Sequence, residues 1–266
     1  MSPAPIPAAP VRVGVLGAGG RMGAEVCRSV AAAADLDLSA AVDPAGGITA
    51  TGLRISQERA ALTEARCAVA VDFTHPSVAP GNVDWCLDNG VHVVVGTSGF
   101  DAKRLDDLAR RAEGASANVI VVPNFAIGAV LMMRFAELAA PFMDSAEVIE
   151  LHHDGKADAP SGTAQSTAER LSAARRSGSD RPGQVESVES VPGARGAVVD
   201  GVHVHSVRLP GLVAHQEVIL GAVGQTLTLR HDSIDRSSFM PGVLLAVRAV
   251  ASRPGLTVGL DPLLGI

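Results

Sequence analysis

Apolar and polar positions fall along the chain in blocks whose period changes from short continuous runs to helical spacing and back. Val11 to Leu16 is a short apolar run, followed by Gly17-Ala-Gly-Gly-Arg-Met-Gly23 and a helical pattern over Met22 to Ala34. Leu36 to Val42, Ala68 to Phe73, His92 to Thr97 and Val119 to Val122 repeat the short apolar run. Helical patterns separate them, one opened by Thr74-His75-Pro76 and running to about Asn89, another over Asp101 to Glu113. Proline in a first turn after a polar cap is a helix-start signal. Strands separated by helices predict an α/β, doubly wound parallel sheet.

The pattern then changes. Ile127 to Phe142 is an apolar helix, and Ala146 to His152 alternates Val148, Glu150 and His152 against Glu147, Ile149 and Leu151, as a strand does. Asp158-Ala-Pro-Ser161 opens a helix to about Arg176. Gly178 to Gly201 reads as a long loop, and His231-Asp232-Ser233 as a polar turn. Val202 to Leu209, Glu217 to Ala222 and Gln225 to Arg230 are strand-like runs without helices between them, so this region is predicted to be α+β. Its strands are apolar on both faces, which predicts association through the uncovered one. Phe239 to Ala251 is a last apolar helix.

Composition narrows the class. Hydrophobic content is 47%, charged residues are 19% and the formal net charge is −6, which disfavours a nucleic-acid partner. No apolar stretch reaches the roughly 18 residues that span a bilayer, so no membrane role is expected. Met1 to Pro10 lacks the regions of a signal peptide and reads as a loose leader, and the scattered Cys27, Cys67 and Cys86 read as reduced thiols, so a cytoplasmic setting is expected. Nearly every basic position is arginine; Lys103 and Lys156 are the exceptions. Lysine is a compact charge of adjustable pKa, whereas guanidinium stays protonated.

The glycine stretch supplies the first candidate chemistry. Strand, glycine turn and helix start form the context in which a backbone approaches a pyrophosphate, with spacing Gly17-x-x-Gly20-x-x-Gly23. Asp43 ends the second strand, where a carboxylate accepts hydrogen bonds from adenosine ribose hydroxyls; it suits NADH, while Arg21 in the turn keeps NADPH open. Phe73-Thr-His75, Gly96-Thr-Ser98 and Pro123-Asn-Phe125 follow strand ends, where such sheets bind ligands. His75 before Pro76 reads as a cap or cofactor contact rather than a catalytic base.

Glu150 to Ala164 reads Glu-Leu-His-His-Asp-Gly-Lys-Ala-Asp-Ala-Pro-Ser-Gly-Thr-Ala. Two histidines, a lysine and a Ser-Gly-Thr turn entering a helix place a proton donor, a cation and an anion cradle in one segment. Ser161, Gly162 and Thr163 are expected to offer free backbone N–H groups to a carboxylate. Adjacent strand histidines diverge and no cysteine is near, so no metal site is expected from His152, His153, His203, His205 or His215.

On these motifs, with Val71-Asp-Phe-Thr-His-Pro76, Gly96-Thr-Ser-Gly-Phe100, Pro123-Asn-Phe-Ala-Ile-Gly128, Gly211-Leu-Val-Ala-His-Gln-Glu217 and Arg230-His-Asp-Ser233, the chain resembles the dihydrodipicolinate reductase family, in its actinobacterial branch, from Arg12 to about Leu264. The resemblance implies a Rossmann-type domain over residues 1–126 completed by 236–266, and a substrate-binding and tetramerisation domain over 127–235. It implies reduction of a cyclic dicarboxylate by NADH or NADPH in diaminopimelate and lysine synthesis. It implies His152 as proton donor with Lys156 as catalytic partner, and His153, Lys156, Ser161, Gly162 and Thr163 as carboxylate ligands. It implies cofactor contacts from Gly17, Ala18, Gly19, Gly20, Arg21, Met22, Asp43, Phe73, Gly96, Thr97, Ser98, Val122, Pro123, Asn124 and Phe125. Pro44 stands where some members carry an arginine, which points to NADH or dual use.

Three other readings compete. A nicotinamide-dependent dehydrogenase of another small carboxylate leaves Lys156 and Ser161 to Thr163 without a purpose. A redox-sensing regulator lacks a basic DNA-binding element. A non-catalytic paralogue would not need an intact proton donor.

Overall fold

A computed structural model of the chain describes residues 9–175 and 188–266. Most of the leader expected over Met1 to Pro10, the expected helix end at Arg176 and the first part of the loop expected from Gly178 lie outside them. The chain divides into two compact units, one of residues up to Phe125 together with Phe239–Ile266, the other of Ala126–Ser238.

The first unit opens with β1 (Val11–Leu16), α1 (Arg21–Ala32) and β2 (Leu36–Val42). Two short strands that lack a readable pattern follow, β3 (Gly47–Ile48) and β4 (Arg54–Ser56), then a single-turn helix, α2 (Ala61–Glu64). The alternation continues with β5 (Val69–Asp72), α3 (Ala79–Asp88), β6 (His92–Val95), α4 (Ala102–Ala112) and β7 (Val119–Val121). Burial on both sheet faces explains the continuous apolar runs: Val13, Val69, Val93 and Val119 are all buried.

The helix expected from Pro76 begins instead at Ala79. The cause is local. The Asp72 carboxylate accepts the Thr74 N–H at 2.9 Å and its hydroxyl at 2.7 Å, which turns the chain back at the strand end. The His75 carbonyl then accepts the N–H groups of Val78 and Ala79 in a separate turn before helical bonding starts.

The second unit contains α5 (Ile127–Ala139), β8 (Ser145–His152), α6 (Gly162–Ala174), β9 (Ala197–Val199), β10 (Val202–Arg208), β11 (Ala214–Ala222) and β12 (Gln225–Ser233). These strands form one mixed sheet in the order β12-β11-β8-β10-β9, with β8 parallel to β10 and antiparallel to β11. His231-Asp232-Ser233 is strand rather than turn, because it pairs in register with Gln216, His215 and Ala214. Val148, Val204, Val218 and Leu220 face Met132, Ala136, Ala168 and Leu171 in a core that joins the sheet to its helices. The opposite face carries half-buried Ile149, Leu151, Val207 and Ile219 among charged residues.

The chain then returns to the first unit through α7 (Met240–Ala249), β13 (Leu256–Val258) and α8 (Asp261–Leu264). Here β13 adds in parallel to β7, an element that its short run did not reveal. The completed sheet has the order β13-β7-β6-β5-β1-β2-β4-β3 and is parallel except where β3 meets β4. Its order reverses between β1 and β5, so the turns after these strands flank a topological switch point. Two long-range links secure the return: Arg248 holds Asp35 through two N–H groups at 2.7 and 2.9 Å, and the Asn118 amide donates to the Val250 carbonyl at 2.9 Å.

Candidate active site

In the first unit the glycine turn leaves β1 at the switch point. Gly17 has φ +81°, and a Cβ there would lie 2.5 Å from the Phe73 carbonyl oxygen. A Cβ on Gly23 would lie 2.0 Å from the Gly17 carbonyl oxygen, so close packing of α1 on the turn excludes any side chain. The turn's own donors are largely committed. Gly17 and Ala18 donate to the Val42 carbonyl, Gly20 to Gly17, and Gly19 to Asp43 Oδ2 at 3.0 Å. Gly20 caps α1 without a side-chain bond. An anion at this turn is therefore met by the first-turn N–H groups, those of Arg21 and Met22, and by the helix dipole. The Asp43 carboxylate is fixed from its other side by the Ala45 N–H at 3.0 Å. A glycine cradle that a Cβ would fill, a helix terminus and an immobilised carboxylate at the second strand end fit a dinucleotide.

The other expected cofactor residues cluster where β5, β6 and β7 end. The Phe73 and Phe125 rings lie 5.5 Å apart, and a Cβ on Gly96 would run into both. Ala18, Val122 and Phe125 are buried, and the Ala18 and Val122 N–H groups already donate to the Val42 and Val95 carbonyls. Ser98 and Pro123 are exposed and Asn124 is half-buried. Sequence reasoning missed Asp72. It is fully buried and accepts the Thr97 hydroxyl at 2.7 Å and the Asn82 amide at 2.7 Å as well as Thr74, tying the two loops together. Its signal was present, a carboxylate ending the apolar run Val69-Ala-Val.

In the second unit, strand alternation puts Glu150 and His152 on one face of β8. The His152 Nδ1 lies against Glu150 Oε2 in a short contact. Arg208, opposite His152 on β10, grips Glu150 with both Nη groups, at 2.9 Å to Oε2 and 2.8 Å to Oε1. Burial pushes the Glu150 carboxyl up, while Arg208, Ser206 and His152 pull it down, and the net position is below the usual carboxylate value. Burial likewise lowers His152, opposed by Glu150 and aided by Lys156 and Arg208.

Beyond β8 the chain turns tightly, the Lys156 N–H donating to the His153 carbonyl at 3.2 Å, with the His153 side chain exposed. Lys156 Nζ donates to both Asp158 oxygens, at 2.7 and 2.9 Å. Ser161 caps α6, its hydroxyl accepting the Ala164 N–H at 3.2 Å. The three N–H groups expected for a carboxylate are not all available, because that of Ser161 donates to Glu150 Oε1 at 3.3 Å. Gly162 and Thr163 begin the helix, whose first turn is pinned by Thr167 bonding to the Thr163 carbonyl and Gln216 bonding to Thr167. Glu150, Arg208 and Asp158 are the site's additions to the sequence reading. Arg208 lies 58 residues from Glu150 in sequence, and only the strand register joins them.

The remaining histidines lie apart from this cluster. His205 bonds Glu147, His215 bonds Asp232, and His203 bonds the Arg195 carbonyl. Among the described residues no group of three or more His, Cys, Asp or Glu could hold a metal ion, and no helix is long and apolar enough to cross a membrane.

Comparison with known proteins agrees over nearly the whole chain. Residues 11–125 match the family model "Dihydrodipicolinate reductase, N-terminus" and residues 128–264 its C-terminal counterpart. A 4-hydroxy-tetrahydrodipicolinate reductase of Mycobacterium marinum is 55% identical over 257 residues, covering 96% of this chain and 100% of the relative. One from Nocardia farcinica is 56% identical over 258 residues, covering 96% and 99%. A solved structure, the dipicolinate-bound dihydrodipicolinate reductase from Paenisporosarcina sp. TG-14, superposes with a TM-score of 0.84 at 39% identity, covering 95% of this chain and 99% of that one. With both family models matched in order and relatives this similar end to end, the chain is an oxidoreductase that belongs to the dihydrodipicolinate reductase family.

Proposed function

We propose that the segment Glu150 to Ala164 binds the two carboxylates of the substrate and delivers a proton to it, with His152 as the donor and Lys156 as its partner. The overall reaction is the NADH- or NADPH-dependent reduction of 4-hydroxy-2,3,4,5-tetrahydrodipicolinate to tetrahydrodipicolinate with loss of water, in diaminopimelate and lysine synthesis. The observation that carries the assignment of roles is the His152 ring, held by Glu150 at the end of β8 in the same segment as the Lys156 ammonium and the α6 N-terminus.

The nicotinamide supplies the hydride to a ring carbon. The protein's part is to orient the substrate and to quench the resulting charge. Histidine is the side chain whose ordinary titration lies nearest neutrality, which suits it to supply that proton, with burial setting His152 below that ordinary value. Lys156 places a positive charge where negative charge develops, and His153, Gly162 and Thr163 complete the carboxylate contacts. The bound dipicolinate of the Paenisporosarcina enzyme, a flat ring with two carboxylates, supports a ligand of this class.

In the first unit, Gly17 to Met22, Asp43, Phe73, Gly96 to Ser98 and Val122 to Phe125 serve the cofactor. Asp43, fixed by two backbone N–H groups and followed by Pro44, favours a free 2′-hydroxyl and hence NADH or dual use. The uncovered sheet face with Ile149, Leu151, Val207 and Ile219 supports assembly of a homotetramer, and the acidic net charge supports an enzyme without a nucleic-acid partner.

The test is a coupled assay. Dihydrodipicolinate synthase generates the unstable substrate from pyruvate and aspartate semialdehyde, and oxidation of NADH and NADPH is followed separately. Oxidation that depends on the coupling enzyme is expected; its absence from folded, cofactor-binding protein would overturn the assignment.

A further inference from the structure

We propose that Glu150 is the positioning residue of the proton donor: its buried carboxylate, clamped by Arg208, takes the Nδ1 side of His152 and so commits Nε2 to the substrate. This rests on the reading of His152 as proton donor.

The arrangement follows from strand geometry. Residues two apart on β8 share a face, so Glu150 lies behind His152, and the parallel register sets Ser206 and Arg208 of β10 beside Glu150 and His152 respectively. On the other flank β11 contributes Gln216 and Ala214 at the same two levels, neither of them charged. The groups that act on His152 are therefore Glu150, Arg208 and Lys156, with Asp158 on the far side of the lysine.

Glu150 has no exposed surface. A lone carboxylate there would take up a proton rather than stay charged. The two-pronged Arg208 contact and the Ser161 N–H keep it ionised instead. Arg208 is itself held, donating at 2.6 Å to the Asp158 carbonyl. An ionised carboxylate only accepts, so the hydrogen of the contact with His152 sits on Nδ1. Neutral His152 then has its lone pair on Nε2, and protonated His152 has its transferable hydrogen there. When Nε2 gives up that proton, the ring becomes neutral with Nδ1–H still bound to Glu150, so the transfer needs no rotation or tautomer change. A carboxylate orienting a catalytic imidazole is the same logic that governs serine-protease triads. A purely structural Glu150–Arg208 pair would need no histidine on its free side.

The experiment is Glu150→Gln, compared with His152→Gln and with Glu150→Leu/Arg208→Met. The double variant removes both charges, so a folding failure caused by an orphaned Arg208 does not decide the outcome. Side-chain 15N–1H spectra of the ligand-free enzyme report the His152 tautomer and titration, and steady-state assays report kcat and KM. In the double variant, which leaves no acceptor at Nδ1, His152 is expected to lose its preference for the Nδ1–H form; in Glu150→Gln, whose amide oxygen can still accept from Nδ1 but carries no charge, it is expected to titrate at lower pH. The kcat is expected to fall by about 100-fold, with substrate KM within about twofold, as for loss of a group acting in the transition state. An unchanged tautomer in the double variant, or an unchanged His152 titration in a folded Glu150→Gln, would overturn the proposal. So would a large loss in His152→Gln with none in the Glu150 variants, which would leave the proton-donor reading standing. Unchanged kcat in His152→Gln itself would overturn that reading and this proposal together.

Discussion

Lys156 holds Asp158 by both carboxylate oxygens, so the cation proposed to bind a substrate carboxylate is already engaged. The pair closes a two-residue step in the loop, and the lysine keeps Asp158 below the usual carboxylate value. Asp158 is mostly exposed, which makes the pair exchangeable at small cost. On the proposed role of Lys156, binding of the substrate would be a carboxylate-for-carboxylate swap at Nζ. Asp158→Asn is therefore expected to lower substrate KM, and the Kd of dipicolinate by calorimetry, by about two- to fivefold. A weaker Kd would show that Asp158 places the lysine rather than competing for it.

His152→Gln is expected to reduce turnover by about 100-fold while leaving cofactor binding within about twofold. A proton donor acts in its protonated form, so with His152 in the proposed role kcat/KM should fall as pH rises through its titration. Burial places that limb below the ordinary histidine value of 6.5. The limb should vanish in the variant; its persistence there would assign it to another group.

The Asp43 carboxylate, proposed to read the ribose, is already fixed by the Gly19 and Ala45 N–H groups. Asp43→Ala is expected to weaken NADH about tenfold, the scale of one charge-assisted hydrogen bond, and NADPH less. Fluorescence titration with both cofactors decides it, and equal losses would remove Asp43 from cofactor choice.

Stability should fall on mild acidification. Burial lowers His92, His152 and His231 below 6.5, so the folded chain binds fewer protons than the unfolded one under that value. Their contribution is complete above pH 6.5 and is lost as pH drops toward the folded values. Carboxylates such as Glu150, also lowered, act only further into acid. Calorimetry should give a lower Tm at pH 5.5 than at pH 7.5, and a Tm equal or higher at pH 5.5 would contradict the burial argument.

The parallel sheet was legible because its strands are buried on both faces and show as unbroken apolar runs between helical patterns. Those that escaped, β3, β4, β9 and β13, have two or three residues each, too few to show a period, and β13 takes its partner β7 from far back in the chain. The site divides in the same way. His152, Lys156 and Ser161 fall in one segment and could be read together. Arg208 and Gln216 reach it from β10 and β11, and the Asp72 cluster draws on Thr74, Asn82 and Thr97, so these emerge only once register is known. The commitment of the Ser161 N–H to Glu150 follows from a fold that brings residues 11 apart into hydrogen-bond range, and no spacing rule foretells it.

The return of the chain to its first unit bears on synthesis. A ribosome delivers β1 to β7, then the whole of Ala126–Ser238, and only afterwards the strand that covers β7. During that interval, on the order of ten seconds at about 5–20 residues per second, the nascent sheet presents an open edge able to pair with any neighbouring strand. The Asn118 amide waits for a carbonyl 132 residues downstream. Crowded polysomes translating this chain would thus be exposed to strand exchange at β7, until Leu256–Val258 emerge and seal it.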